Sequence, residues 1–146
     1  MAGWWPALAW AAVIFIFSTA FFKDDRTSTV ILPMLHWLFP KASDQTLLSM
    51  HHYVRKGAHF VEYFVFSLLI LQAIRAGRRT TRFTWALAAV AIVAGYAAID
   101  EFHQSLVPGR VPLVTDVLLD TIGGIAAQIV AAFVLARGHL RRQGSG

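Results

Sequence analysis

The run FTWALAAVAIVAGYAAI, from Phe83 to Ile99, contains no charged side chain. A helix that is apolar on every face must be surrounded by other apolar matter, and a chain of 146 residues has little of its own to offer. Three more stretches are mostly apolar: Trp4 to Phe22, Ala58 to Ile74 with His59 and Glu62 near its start, and Leu113 to Ala136, interrupted early by Asp116 and Asp120. Each approaches the about 20 residues that a helix needs to cross the hydrocarbon core of a bilayer. Charged residues make up 14% of the chain, against about 25% in an ordinary soluble domain. The expected fold is therefore all-α, a polytopic membrane bundle of four transmembrane helices. It forms a single domain over residues 1–142, with residues 143–146 as a short flexible tail. The first stretch has no basic n-region and no small-residue cleavage site, so it reads as an anchor that is retained. Cysteine is absent, which excludes disulfides, thiolate metal sites and cysteine nucleophiles.

Basic residues orient the spans. Arg75, Arg78, Arg79 and Arg82 separate the second span from the third, and Arg137, Arg141 and Arg142 follow the fourth, with no acid among them. The positive-inside rule places both segments in the cytoplasm, and an even span count puts both termini there. Topology thus accounts for the net charge of +5, and a nucleic-acid partner is not required. All the acidic residues (Asp24, Asp25, Asp44, Glu62, Asp100, Glu101, Asp116 and Asp120) then fall toward the outer half, as does every histidine except His139.

The segment from Lys23 to Gly57 is too long for a turn. Its apolar run, Val30 to Phe39, is broken by Pro33 and closed by Pro40. Being about half a span, it is expected to lie in the interface or to dip in and return. A helix is expected from Ser43 as N-cap, running into the second span with Gly57 as a kink.

At 100° per residue, His52, Arg55, Lys56, His59, Glu62 and Tyr63 fall within about 120° of one another. Tyr96, Asp100, His103 and Gln104 share a face at the end of the third span, with Glu101 at its margin. Asp116 and Asp120 are i, i+4 neighbours at the start of the fourth. The connector VPGRVP holds Arg110 between them. Ionisable groups in lipid cost several kcal/mol, so these stripes should turn toward a common centre near the outer surface. One consequence is a buried ion-pair network that merely fixes packing. The other is a site. Lys56 and Arg110 suit the oxygens of an anionic head group, with Tyr63 and Gln104 as further binding residues. His59 or His103, oriented by Glu62, Asp100, Glu101 or Asp116, suits a general base or nucleophile. Two histidines with several carboxylates also suit a divalent metal.

The segments RKGAHFVEYFVFSLL and GYAAIDEFHQSLVPGRVPLVTDVLLDTIGG resemble the VanZ-like family, and FST at Phe17 to Thr19 is similar to the close of that family's first span. Lys56, His59, Glu62, Tyr63, Asp100, Glu101, His103, Gln104, Arg110 and Asp116 match the family's polar pattern in order and spacing. Asp120 departs from it, standing where the family carries an asparagine. The resemblance implies a small multi-pass protein of the bacterial cytoplasmic membrane, linked to the cell envelope. The family's namesake is associated with low-level resistance to teicoplanin and related lipoglycopeptides. The leading expectation is a site for membrane lipids, an anionic phosphate-bearing envelope lipid above all, with hydrolysis or transfer as its enzymatic form. Sequestration of a lipid or antibiotic without chemistry is the second, and a small-solute or proton-coupled transporter the third.

Overall fold

The computed structural model describes the backbone of residues 3–18, 24–78, 82–106 and 113–143, and side chains over 3–18, 28–78, 82–106 and 113–137. The described residues form five helices: α1 (Trp5–Ser18), α2 (Asp24–Leu38), α3 (Asp44–Arg75), α4 (Phe83–Ser105) and α5 (Val114–Gln143). Three of them, α3, α4 and α5, are long and apolar enough to cross a membrane. Of the first expected span, Trp4 to Phe22, the described helix is α1, 14 residues or about 21 Å, against a hydrocarbon core of about 30 Å. The rest of the stretch expected for it lies outside the described residues, as do the VPGRVP connector, Arg110 and residues 144–146.

Pro33 does not break α2, contrary to expectation. The helix runs through it to Leu38, next to Pro40. A proline removes one backbone donor and crowds the preceding turn. Here the helix continues for only a few residues beyond it, and Leu35 is buried while Val30 and Trp37 are exposed. Helix α3 begins as the sequence implies: Ser43 accepts a hydrogen bond from the Thr46 N–H at 3.3 Å. It continues without interruption through Gly57. At 32 residues, or about 48 Å, it is longer than the hydrocarbon core of a bilayer.

Helix α3 is the hub. It packs most extensively on α5, then on α4, and carries α2 and α1 on its remaining faces. Gly123 makes the main contact possible, and its neighbour Gly124 makes room for α4. A Cβ on Gly123 would lie 2.6 Å from the Phe60 carbonyl oxygen, and one on Gly124 would lie 2.8 Å from Val93 Cγ1. Small residues are how helices approach closely in lipid, where apolar burial gives no net drive. Polar groups then lock the register. Ser67 Oγ donates to the Gly124 carbonyl at 2.9 Å, and Gln128 Nε2 donates to Ser67 Oγ at 2.7 Å and to its carbonyl at 3.1 Å.

Helix α1 is tied down by two aromatic donors. Trp10 Nε1 donates to the Glu62 carbonyl at 2.9 Å, and the Tyr96 hydroxyl donates to the Ala11 carbonyl at 2.7 Å. Its buried residues, Ala7, Ile14 and Ser18, recur on one face, while Trp5, Leu8 and Ile16 look outward. The outward faces of the long helices are likewise apolar, with Val61, Leu87, Ile99, Ile129 and Phe133 all exposed.

These contacts run α1 and α4 in one direction and α3 and α5 in the other. The bundle therefore has a polar end, built from the close of α1 and α4 and the opening turns of α5 with the N-terminal half of α3. The opposite end carries Arg75, Arg78, Arg82 and Arg137. There Arg78 and Arg82 lie over Trp85, and Arg137 over Phe133 at 4.0 Å.

Replacing Gly123 by Ala should destabilise the fold by about 1–3 kcal/mol, because the new methyl meets backbone that cannot rotate away. Gly124→Ala should cost less, since Val93 can change rotamer. Gly95 has nothing within 4 Å of a would-be Cβ, so Gly95→Ala should be neutral or stabilising by up to about 1 kcal/mol. Thermal unfolding in detergent micelles measures this ranking.

Candidate functional site

At the polar end, α1, α2 and α3 enclose a cleft of about 240 Å³ that reaches α4. Its apolar wall is Ile14 and Phe17 of α1, Ile31 of α2, and Val54 and Ala58 of α3. Its polar side is Ser18, Arg55, His59, Glu62 and Asp100. Arg55, His59 and Glu62 recur at helical spacing on α3, and Asp100 comes from the last turns of α4.

The expected stripe on α3 divides along its two edges. One edge lines the cleft. The other faces α5, where Lys56 Nζ donates to Asp116 Oδ1 at 3.2 Å. Each of these side chains is about one-third exposed (32% and 35%), so the pair is reachable from outside the bundle. His59 sits between the edges. It lines the cleft, and its Nδ1 lies 3.8 Å from Asp120 Oδ1, within ion-pair reach when the ring is protonated. Tyr63 lies deeper, fully buried, with its hydroxyl close to the Asp100 and Asp120 carboxylates. His51 and His52, adjacent in sequence, part company: His51 is buried and His52 is exposed.

On α4 the expected face also divides. Asp100 is 4% exposed and accepts from Gln104 Nε2 at 2.8 Å. His103 turns toward α1. It stacks on Phe15 with ring centroids 4.7 Å apart, and its Nδ1 lies 3.4 Å from Ser18 Oγ. Glu101 has a different place again: its carboxylate accepts from the Leu113 N–H at 2.6 Å, immediately before α5 begins. An acid at that position complements the positive end of the helix dipole and fixes where α5 starts.

Of the residues expected to act together, His59, Glu62 and Asp100 line the cleft directly. Gln104 and His103 reach it through Asp100 and Ser18, and Tyr63 lies beneath it. Lys56, Asp116 and Glu101 join helices around its margin. Arg110 lies outside the described residues. Among the described residues, no group of three or more His, Asp or Glu side chains is arranged to hold a metal ion. Two residues of the polar stripes for which the sequence suggests no chemical role also belong here. Arg55 is a cation of the cleft wall, and Asp120, 4% exposed, stands directly behind His59.

The ion pair and the buried amide should differ in worth. A double-mutant cycle with Lys56→Met and Asp116→Asn should give a coupling of about 0.2–1 kcal/mol that shrinks with added salt. Gln104→Leu should cost about 1–3 kcal/mol, because it strips the donor from a buried carboxylate oxygen. Chemical unfolding of the four chains and of the leucine variant measures both.

No curated protein and no solved structure matches the chain significantly. The VanZ/LLP1 family profile matches residues 4–135, a stretch that contains every residue of the cleft. The chain belongs to the VanZ/LLP1 family.

Proposed function

We propose that the chain binds the head group of a phosphate-bearing envelope lipid in the cleft, with the polar end of the bundle at the outer face of a bacterial cytoplasmic membrane. The observation that carries this reading is the two-sided cleft: an apolar wall from three helices faces Arg55, His59 and Ser18. A lipid brings both halves of its match to this depth by itself. A guanidinium meets phosphate oxygens with paired, charge-assisted hydrogen bonds. Lys56 stands at the rim beside its Asp116 partner, and Arg110 lies between α4 and α5 in the sequence, outside the described residues. The orientation follows from the arginines at the other end of the bundle. Holding such a lipid is a means by which a member of this family would change lipoglycopeptide susceptibility.

A second reading, hydrolysis or transfer of the head group, draws on His59. Its ring faces the cleft with a carboxylate behind it at 3.8 Å, the order of a general base and the group that orients it. Transport draws on less, since the ionisable groups gather at one end and not near the midplane where carriers place their sites.

Purified chain in nanodiscs should retain phospholipid through delipidation, read by native mass spectrometry. Arg55→Met, which keeps the stem and removes the charge, should lower retention about tenfold, and Lys56→Met should lower it less. A native chain that retains no phospholipid, or an Arg55→Met variant that retains it equally, contradicts the reading. Release of phosphate or head group that disappears in His59→Ala would select the second reading over simple binding.

A further inference from the structure

We infer that the end of the bundle opposite the cleft carries a lipid site of its own, built by Arg78 and Arg82 around Trp85, for a phospholipid of net negative charge. It stands apart from the cleft and does not depend on what the cleft binds.

The local fold gathers the cations. Helix α3 ends on two residues in the left-handed region, Ala76 (φ 48°) and Gly77 (φ 80°), which turn the chain back. The turn is closed from both sides. The Arg78 N–H donates to the Arg75 carbonyl at 2.9 Å, and Arg75 Nη2 donates to the Arg78 carbonyl at 2.6 Å. Arg78 is therefore held against the last turn of α3, where it meets the start of α4. Its guanidinium lies 5.8 Å from the centre of the Trp85 ring, and that of Arg82 lies 5.4 Å from the same centre. Both arginines are exposed, while Trp85 is partly buried.

No acidic side chain of this molecule answers them. The sequence has no Asp or Glu from Met1 to Lys23, from Tyr63 to Ile99 or beyond Asp120. The start of α1, the close of α3, the start of α4 and the close of α5, which meet at this end, all come from those stretches. An indole attracts a cation but cancels no charge. Two permanent cations on one ring repel each other, and a counter-ion from outside is what offsets that repulsion. A phosphate suits the place, because a guanidinium whose face rests on a ring still offers paired N–H donors along its edge.

Position makes the anion a lipid. The three long helices are apolar up to this end. Trp4 and Trp5 are exposed there as well, since Gly3 lies beside Ala73 of α3, and tryptophans at the ends of apolar spans sit at head-group level. Phe83 and Leu87, exposed one turn apart on α4, offer acyl chains an apolar track next to Arg82. Charge then selects among lipids. A zwitterionic head group brings an ammonium toward Arg75, Arg78 and Arg82, where no carboxylate receives it, and a purely anionic one does not.

The test is competition in one sample. The chain is delipidated in a non-ionic detergent and offered equimolar phosphatidylglycerol and phosphatidylethanolamine of matched acyl chains. Native mass spectrometry identifies the lipid retained. Phosphatidylglycerol is expected about tenfold over phosphatidylethanolamine. Arg78→Gln together with Arg82→Gln should abolish that preference in a chain whose unfolding temperature is unchanged. Arg137→Gln removes a charge from the same end, from a guanidinium that lies over Phe133 instead. It should leave the preference nearly intact, as should Arg55→Met in the cleft. An unmodified chain without the preference overturns the inference, and so does a preference that survives the double variant. Arg137→Gln acting as strongly as Arg82→Gln would show a diffuse basic surface in place of a site. Loss on Arg55→Met would put the anionic lipid in the cleft, and displacement by excess inorganic phosphate would overturn the lipid in favour of a bare anion.

Discussion

The close approach of α5 to α3 governs the rest of the molecule. Gly123 lacks the side chain that would hold the helices apart: the Phe60 carbonyl comes within 2.6 Å of where its Cβ would be, while Gly124 gives the same room to Val93 of α4. Once the helices touch there, their register is no longer free. Running toward the polar end, Asp120 reaches His59 and Asp116 reaches Lys56. Running the other way, Gly124 and Gln128 meet Ser67. The polar residues near the end of the bundle are thus placed by a contact that contains no charge. A single methyl at that contact would disturb both sides of it.

The distribution of polar groups follows from what lipid permits. In hydrocarbon each donor and acceptor needs a partner within the protein. Deep in the bundle those needs are met by few groups, the Ser67–Gln128 clasp and the two aromatic donors that hold α1. Toward the polar end the number of ionisable groups rises, and so does their access to water. Some settle into structural pairs, as Lys56 and Asp116 do. Others, notably Asp100, keep an oxygen that nothing described satisfies. The wall of the cleft also carries an arginine and a histidine beside two carboxylates, more ionisable groups than the stability of a bundle in lipid calls for. This is the physical ground for reading the cleft as a place where something binds.

Much of this arrangement is legible in the chain, because lipid imposes simple rules on it. The α3, α4 and α5 spans follow from apolar length, the start of α3 from Ser43, and the gathering of polar residues from their crowding at one end. The family is legible in the spacing of the same residues. The rest depends on rotations too fine for a helical wheel. Arg55 and Lys56 are 100° apart on an ideal helix, and that single step sends one to the cleft and the other to α5. Asp120 reads as a departure from a family pattern, whereas its depth on α5 places it behind His59. Ser67 and Gln128 carry a signal of their own in the sequence: polar side chains inside apolar runs have to find each other. Pro33 misleads because a proline predicts a break, while a helix on the margin of the bundle tolerates a lost hydrogen bond near its end.

The register of α5 on α3 is open to a direct measurement, because the chain has no cysteine of its own. Lys56→Cys is combined with Asp116→Cys in one chain and with Val130→Cys in another, and each is treated in membranes with a short bifunctional thiol reagent. The account expects a rapid cross-link in the first chain and none in the second, whose α5 position faces outward deeper in the bundle. Cross-linking of the second pair, or its failure in a folded first chain, would show that the two helices meet elsewhere and that the cleft is not built as described.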